Sequence, residues 1–223
     1  MKVFIITIEG MESSERLASV AYESARAYGY EPHYFMAYTK DDSLGILESH
    51  GVKPIWDTNT PYYDLYNQWT SVPGTRGCFT SHYGLWNICV GLNEPIVIFE
   101  HDAIMLRPWD NPDWKDVLHL DWEGSIRRRS MRNEFDSYAD VQENKVFRMG
   151  FSPGEANGVY SMNCAYAYAI KPLAAEKLIS EAKNNGWFAA DRFIREPIVN
   201  IETVHPKIAE EQPEALDMFT TSF

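Results

Sequence analysis

The sequence predicts an α/β domain in which helices cover a largely parallel sheet. Residues 2–8 form a short β-branched and aromatic run, a helical pattern follows as far as Gly29, and residues 32–39 form a second strand pattern. This β-α-β order is typical of two parallel strands joined by a crossover helix. Residues 95–99 are wholly apolar, as expected for a strand buried on both faces. The two observations together favour a parallel sheet with helical layers.

The remaining elements follow from the same periodicities. The predicted elements are a helix over 77–92, strands over 117–122 and 164–170, and a helix over 173–182. In the first of these helices, one face is predicted to be packed: Phe79, His82, Leu85, Trp86, Cys89 and Leu92. Residues 40–76 and 123–158 are polar and irregular, and the second is long enough to be a functional loop. The tail from Lys207 is acidic and weakly patterned.

Composition indicates one globular domain and limits its partners. The chain has 223 residues, 45% of them hydrophobic, and a net charge of −12, which disfavours binding along a phosphate backbone. A local basic cluster at 127–132 leaves nucleic acid open. Three cysteines without a CxxC pair predict a reducing compartment. With no apolar run long enough to span a membrane, this predicts a cytoplasmic protein, whose oligomeric state stays open.

Two acidic residues follow the apolar strand at 95–99. Glu100 and Asp102 are separated only by His101 at the carboxyl end of this strand, where ligands bind in open α/β sheets. Carboxylates one residue apart can face one hard cation such as Mg²⁺ or Mn²⁺, which also binds phosphate oxygens. His101 either adds a ligand or points away. The pattern therefore predicts a metal site that neutralises a diphosphate.

Two segments carry a specific pattern: residues 76–86, RGCFTSHYGLW, and residues 98–103, IFEHDA. They resemble glycosyltransferase family 25, best known from bacterial lipooligosaccharide synthesis. In that family a Cys-x-x-Ser-His segment begins a helix and the next strand ends in Glu-Asp-Asp. The opening strand with Glu15-Arg16, and residues 165–170, also match. The chain departs from the family pattern at His101, which replaces the middle Asp, and before Asp191, where the family has Pro-Val.

The resemblance implies a fold and an activity. The implied fold is GT-A, with a Rossmann-like nucleotide-sugar-binding half, residues 1–122, continuous with an acceptor-binding half, residues 123–223. The implied reaction is inverting transfer of a hexose or pentose from a UDP-sugar to a hydroxyl of a saccharide acceptor. Inversion requires one general base to accept the proton of the acceptor hydroxyl. The implied cofactor is Mn²⁺ or Mg²⁺.

Candidate residues can then be grouped by role. The candidate metal ligands are Glu100, Asp102 and His205. The candidates for contact with the donor nucleotide are Thr7, Ile8, Arg16, Arg76, Ser81 and His82. For His82 the alternative is support of the acidic cluster, and for Arg16 and Arg76 it is a surface position. The first candidate for the general base is Asp191, and the second is Glu155.

Three other functions stay open at this stage. A DNA glycosyltransferase acting on a hydroxymethylated base would use the basic residues near Arg127. A nucleotidyltransferase has a similar acidic site but normally a glycine-rich basic loop after the first strand, where this chain has Glu9-Gly10-Met11-Glu12. A non-catalytic sugar-binding module is disfavoured because Glu100 and Asp102 are both present.

Overall fold

Strand β1 (Lys2–Thr7), helix α1 (Glu12–Ala27) and strand β2 (Glu31–Met36) form the predicted β-α-β unit. β1 and β2 pair in parallel. Helix α1 has no side-chain N-cap, and the Ser14 hydroxyl in its first turn accepts a hydrogen bond from Ile8 N. The computed structural model describes residues 1–52, 73–109, 113–121, 146–148, 161–162 and 164–216, with backbone alone at 73, 146–148 and 216.

The central sheet, as far as the chain is described, has seven strands in the order β2-β1-β3-β7-β5-β8-β6. The strands after β2 are β3 (Ile96–Glu100), β5 (Val117–His119), β6 (Val146–Arg148), β7 (Ala167–Ile170) and β8 (Ile201–Val204). β2, β3, β5 and β8 run in the direction of β1, whereas β7 and β6 run in the opposite direction. A second, antiparallel pair joins β4 (Ala103–Met105) to β9 (Ala209–Glu211).

Helices cover both faces of the sheet. Besides α1, these helices are α2 (Lys40–Ser49), α3 (Pro73–Leu92), α4 (Pro172–Asn185), α5 (Ala190–Phe193) and α6 (Pro213–Leu216). Strand β3 shows the layering: Ile96 and Ile98 pack in the core with α3 and α4, while Val97 and Phe99 pack in the core with α1. A mostly parallel sheet flanked by helices confirms the predicted α/β fold class.

Several predicted boundaries were wrong, each for a local reason. β7 begins at Ala167 rather than 164 because Cys164 has a positive φ of 62°, which is left-handed and cannot continue a strand. β5 ends at His119, whose ring Nδ1 accepts a hydrogen bond from Asp121 N two residues later. Leu92 is 38% exposed and leaves the packed face of α3, which starts at Pro73. The tail after Lys207 forms β9 and α6.

Small residues on α3 allow the chain leaving β2 to pass close to the helix. A Cβ on Gly77 would lie 2.6 Å from the carbonyl oxygen of Tyr38, and one on Gly84 would lie 2.9 Å from the Tyr38 ring. Between them, the Ser81 hydroxyl accepts a hydrogen bond from Tyr38 N at 2.9 Å and donates to the Gly77 carbonyl at 2.8 Å. Gly77 and Ser81, which belong to the family-like segment 76–86, therefore fix α3 against the end of β2.

This close approach predicts the effect of Gly77→Ala. The new methyl group would overlap a backbone oxygen that cannot rotate away, so we expect a loss of about 1–3 kcal/mol of unfolding free energy in urea denaturation. Gly91 lies on the same helix with open space around its Cβ position, and Gly91→Ala should stabilise by up to about 1 kcal/mol. Equal effects of the two substitutions would contradict the packing described here.

Candidate functional site

The candidate site lies at the edge of the sheet where β1, β3 and β5 end. Ile6 of β1 is in register with Glu100 of β3, so Thr7 and Ile8 leave the sheet beside Glu100. Thr7 is buried, and its hydroxyl lies 3.4 Å from that of Ser14. The structure thus places Thr7 and Ile8 next to the acidic strand end.

Helix α3 presents two side chains to Glu100. Cys78 and His82 are four residues apart and therefore share one face of the helix. His82 Nε2 lies 3.1 Å from Glu100 Oε1, and Cys78 Sγ lies 3.9 Å from the same oxygen. His82 is fully buried, whereas 17% of the Glu100 side chain is exposed. One edge of the carboxylate is thus held by α3, and part of it still faces solvent.

A chain of hydrogen bonds behind His82 fixes its tautomer. The Tyr168 hydroxyl lies 2.9 Å from both Trp86 Nε1 and His82 Nδ1. The indole N–H only donates, so the tyrosine oxygen accepts it and its own proton is donated to His82 Nδ1. Because the Glu100 carboxylate only accepts hydrogen bonds, His82 Nε2 carries a proton and donates it to Glu100. Trp86, Tyr168 and His82 therefore orient the carboxylate, which agrees with the supporting role considered for His82.

Cys78, His82 and Glu100 form a group whose ligand atoms lie within 4.8 Å of one another and can hold a metal ion. Burial raises the pKa of the Cys78 thiol well above its usual value, and the nearby charges of Glu100, Asp191 and Asp102 raise that pKa further. The thiol is therefore protonated, and His82 Nε2 is already a donor to Glu100. In the structure these two atoms are therefore donors to Glu100.

The charges of Glu100, Asp102 and Asp191 each raise the pKa of the Cys78 thiol, so all three carboxylates lie within electrostatic range of one sulfur atom. Carboxylates within range of one another repel, and a divalent cation would relieve the repulsion. Oxygen donors are also the ligands that Mg²⁺ and Mn²⁺ prefer. The acidic residues at the end of β3 therefore fit the metal that the family resemblance implies.

Asp102 and His101 form the turn between β3 and β4. Each has only 5% of its surface exposed. Burial lowers the pKa of His101, so its imidazole is neutral near pH 7. The backbone of this turn is held by Gln212, which donates from its main-chain N to the Asp102 carbonyl at 2.7 Å. Gln212 was missed in the sequence because it lies in a tail without a regular pattern.

Asp191, on the short helix α5, shares this environment. Burial raises the pKa of its carboxyl group, the charge of Arg192 lowers it, and the charge of Glu100 raises it again. The carboxylate also accepts a backbone hydrogen bond from Cys164, the residue with the left-handed backbone. Asp191 therefore lies within electrostatic reach of Glu100 and close to the start of β7.

Most of the other predicted site residues have partners of their own in the structure. Arg16 is exposed and forms an ion pair with Glu214, and Arg76 donates to the backbone carbonyl of Lys40. Ser81 binds backbone at the end of β2, as described above. His205 follows β8, which is separated from β3 by β7 and β5. Glu155 and the basic cluster at 127–132 lie outside the described residues.

The hydrogen-bond chain predicts the effect of Tyr168→Phe. This substitution leaves Trp86 Nε1 and His82 Nδ1 without a buried partner, so unfolding free energy should fall by about 1–3 kcal/mol. ¹⁵N NMR should show the His82 ring losing its single Nε2–H tautomer. Tyr28→Phe removes an exposed hydroxyl that donates to Leu106 O, and should cost less than about 1 kcal/mol. Equal losses in the two variants would argue against the chain.

In the described part of the chain, no helix combines the length and apolar character needed to cross a membrane. Among solved structures, the chain is similar to a glycosyltransferase involved in the glycosylation of the major capsid of PBCV-1, at 9% identity and a TM-score of 0.33. That match covers 84% of this chain and 70% of the other. It is also similar to mouse xyloside xylosyltransferase 1 in its apo form, at 9% identity and a TM-score of 0.34, covering 87% and 80% of the two chains.

The family comparison covers most of the sequence. No curated protein matches the chain. The profile of glycosyltransferase family 25 (LPS biosynthesis protein) matches residues 1–194 of the 223. This stretch contains α3, the acidic turn after β3 and Asp191. The chain belongs to glycosyltransferase family 25 and is a transferase enzyme.

Proposed function

We propose that this enzyme transfers a hexose or pentose from a UDP-sugar to a hydroxyl of a saccharide acceptor, with inversion and with the help of a divalent metal. The observation that carries the proposal is the grouping of acidic residues at the carboxyl end of β3: Glu100 lies 3.1 Å from His82 Nε2, Asp102 follows two residues later, and Asp191 lies within electrostatic range of Glu100. The UDP donor and the inversion rest on family membership together with this grouping. The first half of the chain, residues 1–122, would bind the donor, and the rest would bind the acceptor.

Glu100 and Asp102 are the proposed residues that hold Mn²⁺ or Mg²⁺. When bound, the metal would supply positive charge against the diphosphate leaving group. His82 holds one oxygen of Glu100 through the Nε2–H bond of 3.1 Å, which limits rotation of the carboxylate. His205 stays a weaker candidate ligand, because two strands lie between β8 and β3.

Asp191 is the proposed general base. As the acceptor oxygen attacks the anomeric carbon, its proton passes to the Asp191 carboxylate, and the bond from the sugar to the diphosphate breaks on the opposite face. A raised pKa suits this role, since a base is more effective as its pKa approaches the working pH. The backbone hydrogen bond from Cys164 orients the carboxylate. Glu155 stays the second candidate.

Thr7 and Ile8 are proposed to border the uridine pocket, since they leave the sheet beside Glu100. A direct role for Arg16 and Arg76 would require each to leave the partner it has in the structure, Glu214 and Lys40 O respectively. Ser81 is better explained by its two backbone hydrogen bonds. A saccharide acceptor is favoured over DNA because the net charge of −12 opposes the approach of a polyanion.

The metal assignment predicts that Asp102→Asn abolishes turnover while the fold is retained. Losing several kcal/mol of charge stabilisation corresponds to a fall in rate of about 100-fold or more. Calorimetry should show that UDP binds the unmodified enzyme with Mn²⁺ and loses affinity with excess chelator. Asp113→Asn makes the same charge change at a fully exposed side chain and should have no effect. Equal UDP affinity with and without chelator would refute the assignment.

We expect Asp191→Asn to lower the turnover rate and to raise the stability of the fold. Turnover should fall by about 100-fold or more with donor affinity retained, because asparagine accepts no proton. Burial raises the folded-state pKa of Asp191 above its unfolded value, so the ionised carboxylate destabilises the fold at neutral pH. This destabilisation disappears as pH falls through the folded pKa.

The variant should therefore unfold at a higher temperature than the unmodified enzyme near pH 7, with a difference that shrinks as pH is lowered. Thermal unfolding at several pH values measures this. If the variant is less stable at pH 7, or keeps normal turnover, the role of general base would be assigned to another residue such as Glu155.

A further inference from the structure

Gln212 connects three parts of the molecule at the acidic turn. Its side chain is 4% exposed, and Nε2 lies 2.9 Å from each of three carbonyl oxygens, those of Leu17, His101 and Ala103. Its backbone N donates to the carbonyl of Asp102 at 2.7 Å. One residue thus contacts the carbonyls of three successive residues in the turn and one carbonyl of α1.

These contacts determine how the turn presents its side chains. Buried carbonyl groups need hydrogen-bond donors, and a turn between two short strands has few from its own backbone. With the peptides on both sides of Asp102 held, the direction of its Cα–Cβ bond is also held. Pairing of β9 with β4 brings Gln212 to this position, since Glu211 lies opposite Ala103.

We infer that Gln212 is a positioning residue for the transfer reaction, acting through Asp102. The inference rests on the proposed role of Asp102. Gln212 lies beyond residue 194, where the family match ends. The hydrogen bonds that hold the turn therefore come from a segment that the family profile does not cover. The tail after β8 would then serve catalysis by fixing the acidic turn.

The test uses Gln212→Glu in the full chain, with Gln212→Ala as a second variant in case the first does not fold. Glutamate keeps the shape but replaces the N–H donors with oxygens that repel the three carbonyls. We expect turnover per folded molecule to fall 10–100-fold, and Mn²⁺ affinity in the presence of UDP, measured by calorimetry, to weaken by a similar factor. Unfolding measured by circular dichroism gives the folded fraction.

Leu178→Ala is the control for stability alone. Leu178 is fully buried in α4, on the face of the sheet opposite α1, and its truncation destabilises the core without touching the turn. This variant should keep normal turnover and Mn²⁺ affinity wherever it is folded. If both Gln212 variants behave like Leu178→Ala while Asp102→Asn is inactive, the inference is overturned and the proposed function stands. If Asp102→Asn keeps full activity, both are overturned.

Discussion

Mutual repulsion of partly buried carboxylates is the constraint around which this site is built. The charges of Glu100, Asp102 and Asp191 all raise the pKa of the Cys78 thiol, and Glu100 also raises the pKa of Asp191. Water screens charges only weakly where side chains are largely buried, so donors from the protein stabilise the carboxylates. The elements around the site supply them: His82 and Cys78 from α3 donate to Glu100, and Cys164 N donates to Asp191.

The family-like segment on α3 thus has two separate tasks. Gly77 and Ser81 hold the helix against the end of β2, while Cys78 and His82 hold Glu100. The two pairs point in different directions because neighbouring residues on a helix lie about 100° apart. In the sequence, the segment 76–86 resembles a binding motif. In the structure, these four residues mainly fix the acidic end of β3 relative to β2.

The sequence was informative where chemistry follows directly from local pattern. The apolar run of β3 predicted a buried strand, and the acids after it predicted a candidate site at its carboxyl end, because both follow from residues adjacent in the sequence. It was uninformative where partners are distant in the chain. In the sequence, Tyr168 is an ordinary strand residue and Gln212 is part of an acidic tail. Their contacts with the site arise only because β7 pairs with β3 and β9 pairs with β4. A short stretch of sequence does not reveal which strands pair.

The position of β7 has a consequence for how the chain folds. β7 lies between β3 and β5, and both depend on it for hydrogen bonds along one edge. During synthesis, β3 and β5 are made well before residues 167–170. Each therefore keeps unpaired backbone groups along one edge until β7 is made. Open strand edges are templates for aggregation, and sheets built from distant segments form slowly. The hydrogen bonds that complete the centre of the sheet therefore form only after residues 167–170 have been made.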